Sequence, residues 1–206
     1  MIEIRRAADR AVTVMPGITT THGFSSGAHY DPANLSFGRL IAHDVHVLAP
    51  GAGFDRHPHR GLEIVSWVLS GALRHDGVSA RPVTVRHGTV QHLSAGSGVE
   101  HEERNGASDE LRFVQMWLLT DGPLGEPAYR TGAVDVPGAR FDVVTGVARL
   151  AAAPFVHVYV ADGTARVGAA ELDAGDEARI TDEAVDVAAR GELLVWEMFR
   201  PISASA

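Results

Sequence analysis

Two short residue pairs carry the chemistry in this sequence, His57-x-His59 and His101-x-Glu103. Residues two apart on a β-strand point to the same face. Each pair can therefore aim both side chains inward, with Pro58 and Glu102 pointing away. Two such strands facing each other inside a barrel would gather three imidazoles and one carboxylate. Three nitrogens and one oxygen, with room left for water or substrate, suit iron, manganese, nickel, copper or zinc. A lone His-x-His is as readily a polar pair on a solvated face. The second pair, about forty residues later, and the glycine-rich turns before both are what point to a metal. Glu63 shares strand parity with His57 and His59, so parity leaves it open as the carboxylate.

The elements that must hold these residues read as strands. Residues 2–5 alternate, residues 6–10 form a helical turn or a loop, and residues 20–31 are a Gly- and Ser-rich loop. Residues 34–40 re-enter the sheet, and 44–49 and 62–69 are β-branched and aromatic strands. A hairpin at Asp76-Gly77 joins 72–75 to 82–86, and 90–93 leads through SAGSG to His101. Residues 111–119, LRFVQMWLL, make the clearest strand. Short strands at regular spacing, with no convincing helix, predict an all-β barrel. The Pro- and Gly-rich DGPLGEP at 121–127 marks a boundary between an N-terminal domain, 1–127, and a C-terminal one, 128–206. In the second part, 129–140 is a connector and 156–160 a strand ending in a hairpin at Asp162-Gly163. ARVGAAEL, the turn DAGD, EARIT and ELLVWEMF follow, and His157 is the one histidine there.

The spacing around the two pairs is that of the two metal motifs of the cupin barrel. Gly51, five residues, His57-x-His59, three residues and Glu63 form the first, with its closing Gly71 one place late. Gly98-x-x-His101-x-x-x-Asn105 forms the second, with Gly96 in place of the usual proline. HPHRG-x-E in the first motif with His-x-Glu in the second resembles the pirin family of bicupins. The resemblance is close over residues 1 to about 130 and looser beyond. It implies two cupin-type (jelly-roll) β-barrels, the second shortened and without metal ligands. Ordinary cupins draw the carboxylate from the first motif, which is Glu63 here. Pirins draw it from the second, which implies His57, His59, His101 and Glu103 as ligands, with Glu63 a neighbouring polar partner. Arg60 belongs to the same motif and would steady a carboxylate. His22-Gly23-Phe24-Ser25-Ser26 departs from the family's His-x-Phe-x-Phe stretch, which lacks its second Phe here.

Composition narrows the field. The chain has 206 residues, is 45% hydrophobic and carries a net charge of −8 without a basic run, which disfavours direct nucleic-acid binding. It has no cysteine, which excludes disulfides, thiolate nucleophiles and zinc fingers. All 18 basic residues are arginine, so a Walker A lysine, a Schiff-base lysine and a Ser-Lys dyad are excluded too. Gly51-x-Gly53 and Gly96-x-Gly98 lack the third glycine and helix of a dinucleotide loop. No leader or membrane-length apolar run is visible, so a cytoplasmic protein is expected.

The resemblance implies a metal-dependent dioxygenase acting with O₂ on a small molecule, a flavonol such as quercetin or another enolic compound. Glu103 would take a proton from a hydroxyl. The metal would be one divalent transition ion, Fe(II) first, with Cu, Ni, Mn or Zn as alternatives. The alternative readings are a metal- or redox-responsive regulator with a protein partner, and a non-catalytic metal-binding cupin. The other histidines of the first half, His22, His29, His43, His46, His75, His87 and His92, read as exposed or hydrogen-bonded structural residues. His46 is poised between the barrel interior and solvent.

Overall fold

A computed structural model of the chain describes residues 1–79 and 81–199. Packing divides it into two compact units, one of Ala11–Val134 and one that joins Met1–Arg10 to the chain from Asp135 onward. This division lies elsewhere than a boundary after residue 127. The first strand pairs with the second unit, and a strand beyond 127 pairs with the first.

Alternating β-branched and aromatic residues, punctuated by glycine turns, give strands throughout. β1 (Ile2–Arg5) opens the chain. The first unit contains β2 (Val12–Met15), β3 (Ile18–His22), β4 (Leu40–Leu48), β5 (Gly53–His59), β6 (Leu62–Ser70), β7 (Ala72–Asp76), β8 (Val83–Arg86), β9 (Val90–Ser94), β10 (Val99–Asn105), β11 (Leu111–Leu119) and β12 (Ala128–Thr131). The second continues with β13 (Ala139–Leu150), β14 (Phe155–Val167), β15 (Ala170–Asp173), β16 (Glu177–Ile180) and β17 (Val185–Met198). Among the described residues the helical content is one 3-10 turn, Ala7–Asp9. No helix of the described residues is long and apolar enough to cross a membrane.

In the first unit a seven-stranded sheet runs β12-β9-β6-β11-β4-β3-β2, and a four-stranded sheet runs β5-β10-β7-β8. Ile18, Leu48, Val68, Leu111 and Phe113 of the large sheet pack on Leu73 and Val85 of the small one. Each such buried side chain contributes roughly 1.5–3 kcal/mol of transfer free energy. This layer joins the two sheets, with Ala52, Phe54 and Val83 packed against it. The second unit is a sheet in the order β1-β16-β14-β17-β13, with β15 added on β14, around an Ala-, Val- and Leu-rich core. Both are almost entirely β, as the pattern predicts, and are consistent with the jelly-roll architecture that the resemblance implies.

Three readings need correction. Residues 129–140 are not a connector: β12 adds to β9 and β13 begins at Ala139. Asp162-Gly163 is not a hairpin turn. β14 runs straight through it because β17 pairs along its length, and the turn signal becomes a β-bulge after Val160. The loop expected from residue 20 starts after β3, because Thr19–Thr21 pair with β4.

Candidate metal centre

The ligand pairs lie side by side in one sheet, on neighbouring antiparallel strands, rather than on strands facing across a barrel. His57 of β5 stands directly opposite His101 of β10, and Val99 opposite His59. A bulge follows, so that Glu103 stands opposite Phe54. Gly53 makes room for this close approach: a Cβ there would fall 2.3 Å from the Glu103 carbonyl oxygen. Ring centroids are 4.5 Å apart for His57–His101, 4.8 Å for His57–His59 and 5.0 Å for His59–His101. One nitrogen from each of the three rings lies within 4.8 Å of the others.

The hydrogen bonds of His57 and His101 leave one nitrogen of each ring for a metal. His57 Nδ1 lies 2.6 Å from the Asp55 carbonyl oxygen, so Nδ1 carries the proton and Nε2 the free lone pair. His101 Nδ1 lies 3.0 Å from His75 Nε2. His59 Nε2 and His101 Nε2 are buried without a hydrogen-bond partner. Buried polar atoms are normally satisfied, and a divalent cation at the meeting point of the three rings would satisfy these. The donor set therefore fits the metal that its residue types implied.

Glu103 belongs to a second group, with His75 and His101, whose ligand atoms also lie within 4.8 Å of one another. Its carboxylate is 1% exposed and is gripped from both sides. Gln91 Nε2 donates to Oε1 at 2.9 Å, and Gln115 Nε2 to Oε2 at 2.7 Å. Each amide is in turn oriented by a donor on its oxygen. Tyr129 OH donates to Gln91 Oε1 at 3.1 Å, and Trp117 Nε1 to Gln115 Oε1 at 2.9 Å. Burial, with the Glu103 charge added, raises the Tyr129 pKa, so the phenol stays a donor. Tyr129 also stacks on His75 at 4.5 Å, and Trp117 meets His59 edge-on at 4.9 Å.

Glu63 lies apart from both groups. It accepts from His92 Nε2 at 2.7 Å and Ser94 Oγ at 3.1 Å, on the face of β6 opposite to Ser66. The turn at Arg60-Gly61 separates β5 from β6, so parity counted from His57 does not carry across it. Arg60 is exposed, and Glu102 is half-buried rather than solvent-facing. His75, Gln91, Gln115, Trp117 and Tyr129 are the residues sequence reasoning missed. Only their inward parity on strands could have found them, and parity does not distinguish a site partner from core.

Burial is the largest cause of low histidine pKa values here. It lowers His59 and His75 to about 4, and His101 to about 3, from an ordinary 6.5. In the unfolded chain these rings take up protons near pH 6.5. In the metal-free fold they resist until pH 3–4. The unfolded state thus binds more protons throughout this window, and stability must fall with pH. The urea midpoint of the metal-free protein is expected to be flat above about pH 6.5 and to decline steadily toward pH 4. A midpoint constant across that range would contradict it.

Beside His57 and Glu103 opens a cavity of about 580 Å³, walled by Met15, Phe54 and Trp117 and by polar groups including Thr20, His22, Asp44 and His46. It is of the size that takes small-molecule ligands. His46 therefore faces the interior; its Nδ1 lies 2.9 Å from Thr20 Oγ1, and burial lowers its pKa.

Comparison with known proteins finds relatives of the whole chain. The family model described as Pirin matches residues 4–118. A Mycobacterium tuberculosis protein, named as an inferred quercetin 2,3-dioxygenase, is 36% identical over 239 aligned residues, covering 100% of this chain and 98% of its own. The quercetin 2,3-dioxygenase of Escherichia coli K12 is 33% identical over 147 residues, covering 71% of this chain and 61% of its own. The crystal structure of a bacterial pirin from Escherichia coli in complex with nickel(II) superposes with a TM-score of 0.85 at 26% identity, over 98% of this chain and 100% of that one.

Proposed function

This chain belongs to the pirin family, and from that premise we propose that it is a metal-dependent dioxygenase acting on flavonols such as quercetin or on related enolic compounds. His57, His59, His101 and Glu103 hold one divalent metal, Fe(II) in preference to Cu, Ni, Mn or Zn. The observation that carries the reading is the pair of buried, unpartnered Nε2 atoms on His59 and His101, beside a His57 whose Nδ1 is already committed to a carbonyl. When bound, a redox-active metal supplies a Lewis-acidic centre at which O₂ and a chelating enolate can meet.

The chain's own groups do the rest. The cavity beside Glu103 holds the substrate and limits water. Glu103, with two amide donors on its oxygens, is an aligned base for the enolic hydroxyl proton. Gln91 and Gln115 fix its position, and Tyr129 and Trp117 fix theirs. His75 acts through His101: by accepting from Nδ1 it keeps the Nε2 lone pair on the metal side. His75→Leu is therefore expected to weaken metal binding roughly 10- to 100-fold. His75→Gln, whose amide oxygen can accept in place of Nε2, should recover most of that loss. Competition against a chromogenic chelator measures both, and an equal loss in the two variants would assign His75 to packing alone.

The test of function is O₂ uptake by protein reloaded with Fe(II), Cu(II), Ni(II) or Mn(II) in the presence of quercetin. Uptake matched to loss of the flavonol absorbance supports the reading. Its absence with every metal across a set of flavonols would sink it.

A further inference from the structure

A row of polar side chains crosses five strands on the face that looks into the cavity. Register places Gln91 of β9 opposite Ser66 of β6, Ser66 opposite Gln115 of β11, Gln115 opposite Asp44 of β4, and Asp44 opposite His22 of β3. Half of this row serves Glu103: both glutamines donate to it, and Ser66 accepts from Gln115 at 3.3 Å. The other half does not. Asp44 Oδ2 lies 3.2 Å from His22 Nδ1, and both residues line the cavity.

Beside this pair stands His46, on the same face of β4 as Asp44. Thr20 occupies its Nδ1, which leaves Nε2 for a ligand. Asp44 has lone pairs beyond the one directed at His22. These are hydrogen-bonding groups with spare capacity at the wall of the cavity. A lock between β3 and β4 would explain the His22–Asp44 contact. It would not explain why His46 and Asp44 both turn to the cavity on a strand whose Val45 and Val47 turn the other way.

We propose that Asp44 and His46 form a second polar end of the cavity, with His22, held by Thr13, steadying Asp44 from β3; this end binds hydroxyl groups on the part of the substrate remote from the metal. The inference rests on the reading of the cavity as a flavonol-type pocket, and it narrows the substrate class. Two strand steps, roughly 10 Å, separate the strand of Gln115 from that of His22, and Phe54, Met15 and Trp117 line the space with apolar surface. A flat polyphenol fits this arrangement, with a chelating enol at one end and hydroxyls at the other. The carboxylate accepts from a phenolic O–H, and His46 Nε2 accepts or donates according to its tautomer.

The test uses the nickel(II)-loaded full chain and flavonols that share the enol-ketone end but carry zero, one or two hydroxyls on the pendant ring. Binding is read by tryptophan fluorescence under nitrogen, and O₂ uptake is read in parallel with the Fe(II)-loaded protein. In the wild type, affinity should rise on the order of 10- to 100-fold from zero to two hydroxyls. In Asp44→Asn and in His46→Leu the rise should shrink to within about threefold. The two variants are independent, so a folding failure in one leaves the other to decide. Equal affinities in the wild type, or an unchanged rise in a folded variant, overturn the proposal. Graded binding without O₂ uptake upholds the second polar end and removes the dioxygenase reading. No binding of any flavonol overturns both.

Discussion

Replacing Glu103 with alanine should strip most of the metal from the purified protein, while Glu63→Ala should leave it near the wild-type level. Glu103 is buried between two amide donors and shares a ligand group with His101, whereas Glu63 is bound to His92 and Ser94 on the opposite face of its strand. Loss of the proposed fourth ligand opens the site to water and chelators. It also leaves the Gln91 and Gln115 amides without their acceptor, at a cost of about 1–3 kcal/mol each. Elemental analysis should give about one equivalent for the wild type and for Glu63→Ala, and under a tenth of that for Glu103→Ala. Glu103→Gln keeps the shape and loses the base. Flavonol-dependent O₂ uptake should then fall by about 10²–10⁴ even in the metal-bound fraction. Metal lost from Glu63→Ala and kept in Glu103→Ala would give the carboxylate role to the first motif instead.

The second large effect belongs to stability. Glu177 is fully buried in the second unit among cations: Arg10 at 2.5 Å, Arg179 at 2.8 Å and Arg5 at 3.8 Å, with His157 Nε2 at 3.2 Å. Burial alone would raise its pKa; the His157 hydrogen bond and the charges of Arg10 and Arg179 outweigh it and hold the carboxylate ionised, beside a His157 that burial keeps neutral. Arg10 also lies over the Tyr159 ring at 5.1 Å. Glu177→Ala would leave buried guanidinium groups uncompensated, which typically costs about 3–5 kcal/mol. With a urea slope of about 2 kcal/mol per molar, the midpoint of the second unit should fall by roughly 2 M. A shift below about 0.5 M would show that solvent replaces the carboxylate at little cost.

Much of the fold was legible because strands announce themselves through period-two patterning. β11 was read residue for residue from LRFVQMWLL, and β6, β8 and β9 within a residue or so. Failures came where one local signal has two uses. Asp162-Gly163 looks like a hairpin, and only the long pairing of β14 with β17 makes it a bulge. The three histidines were legible because two-residue spacing and a β-partner suffice to bring them together. The His75–His101 contact was not, because it joins β7 to β10 across the register, and nothing in GALRHDG specifies that pairing. Parity left Glu63 open for another reason: it was counted through the turn between β5 and β6.

Strand β1 pairs with β16, Ile2 opposite Ile180 and Arg5 opposite Glu177, nearly the whole chain apart in sequence. During synthesis Ile2–Arg5 must therefore wait until Glu177–Ile180 have emerged. Ala11–Val134 can assemble around its own core before the residues from Asp135 onward emerge; the other unit cannot. The charges of Arg5 and Arg10 keep this waiting segment from passing for an apolar edge strand. The candidate metal centre is thus built from chain that can fold first, and the Glu177 cluster closes only once β16 has emerged to meet Arg5 and Arg10.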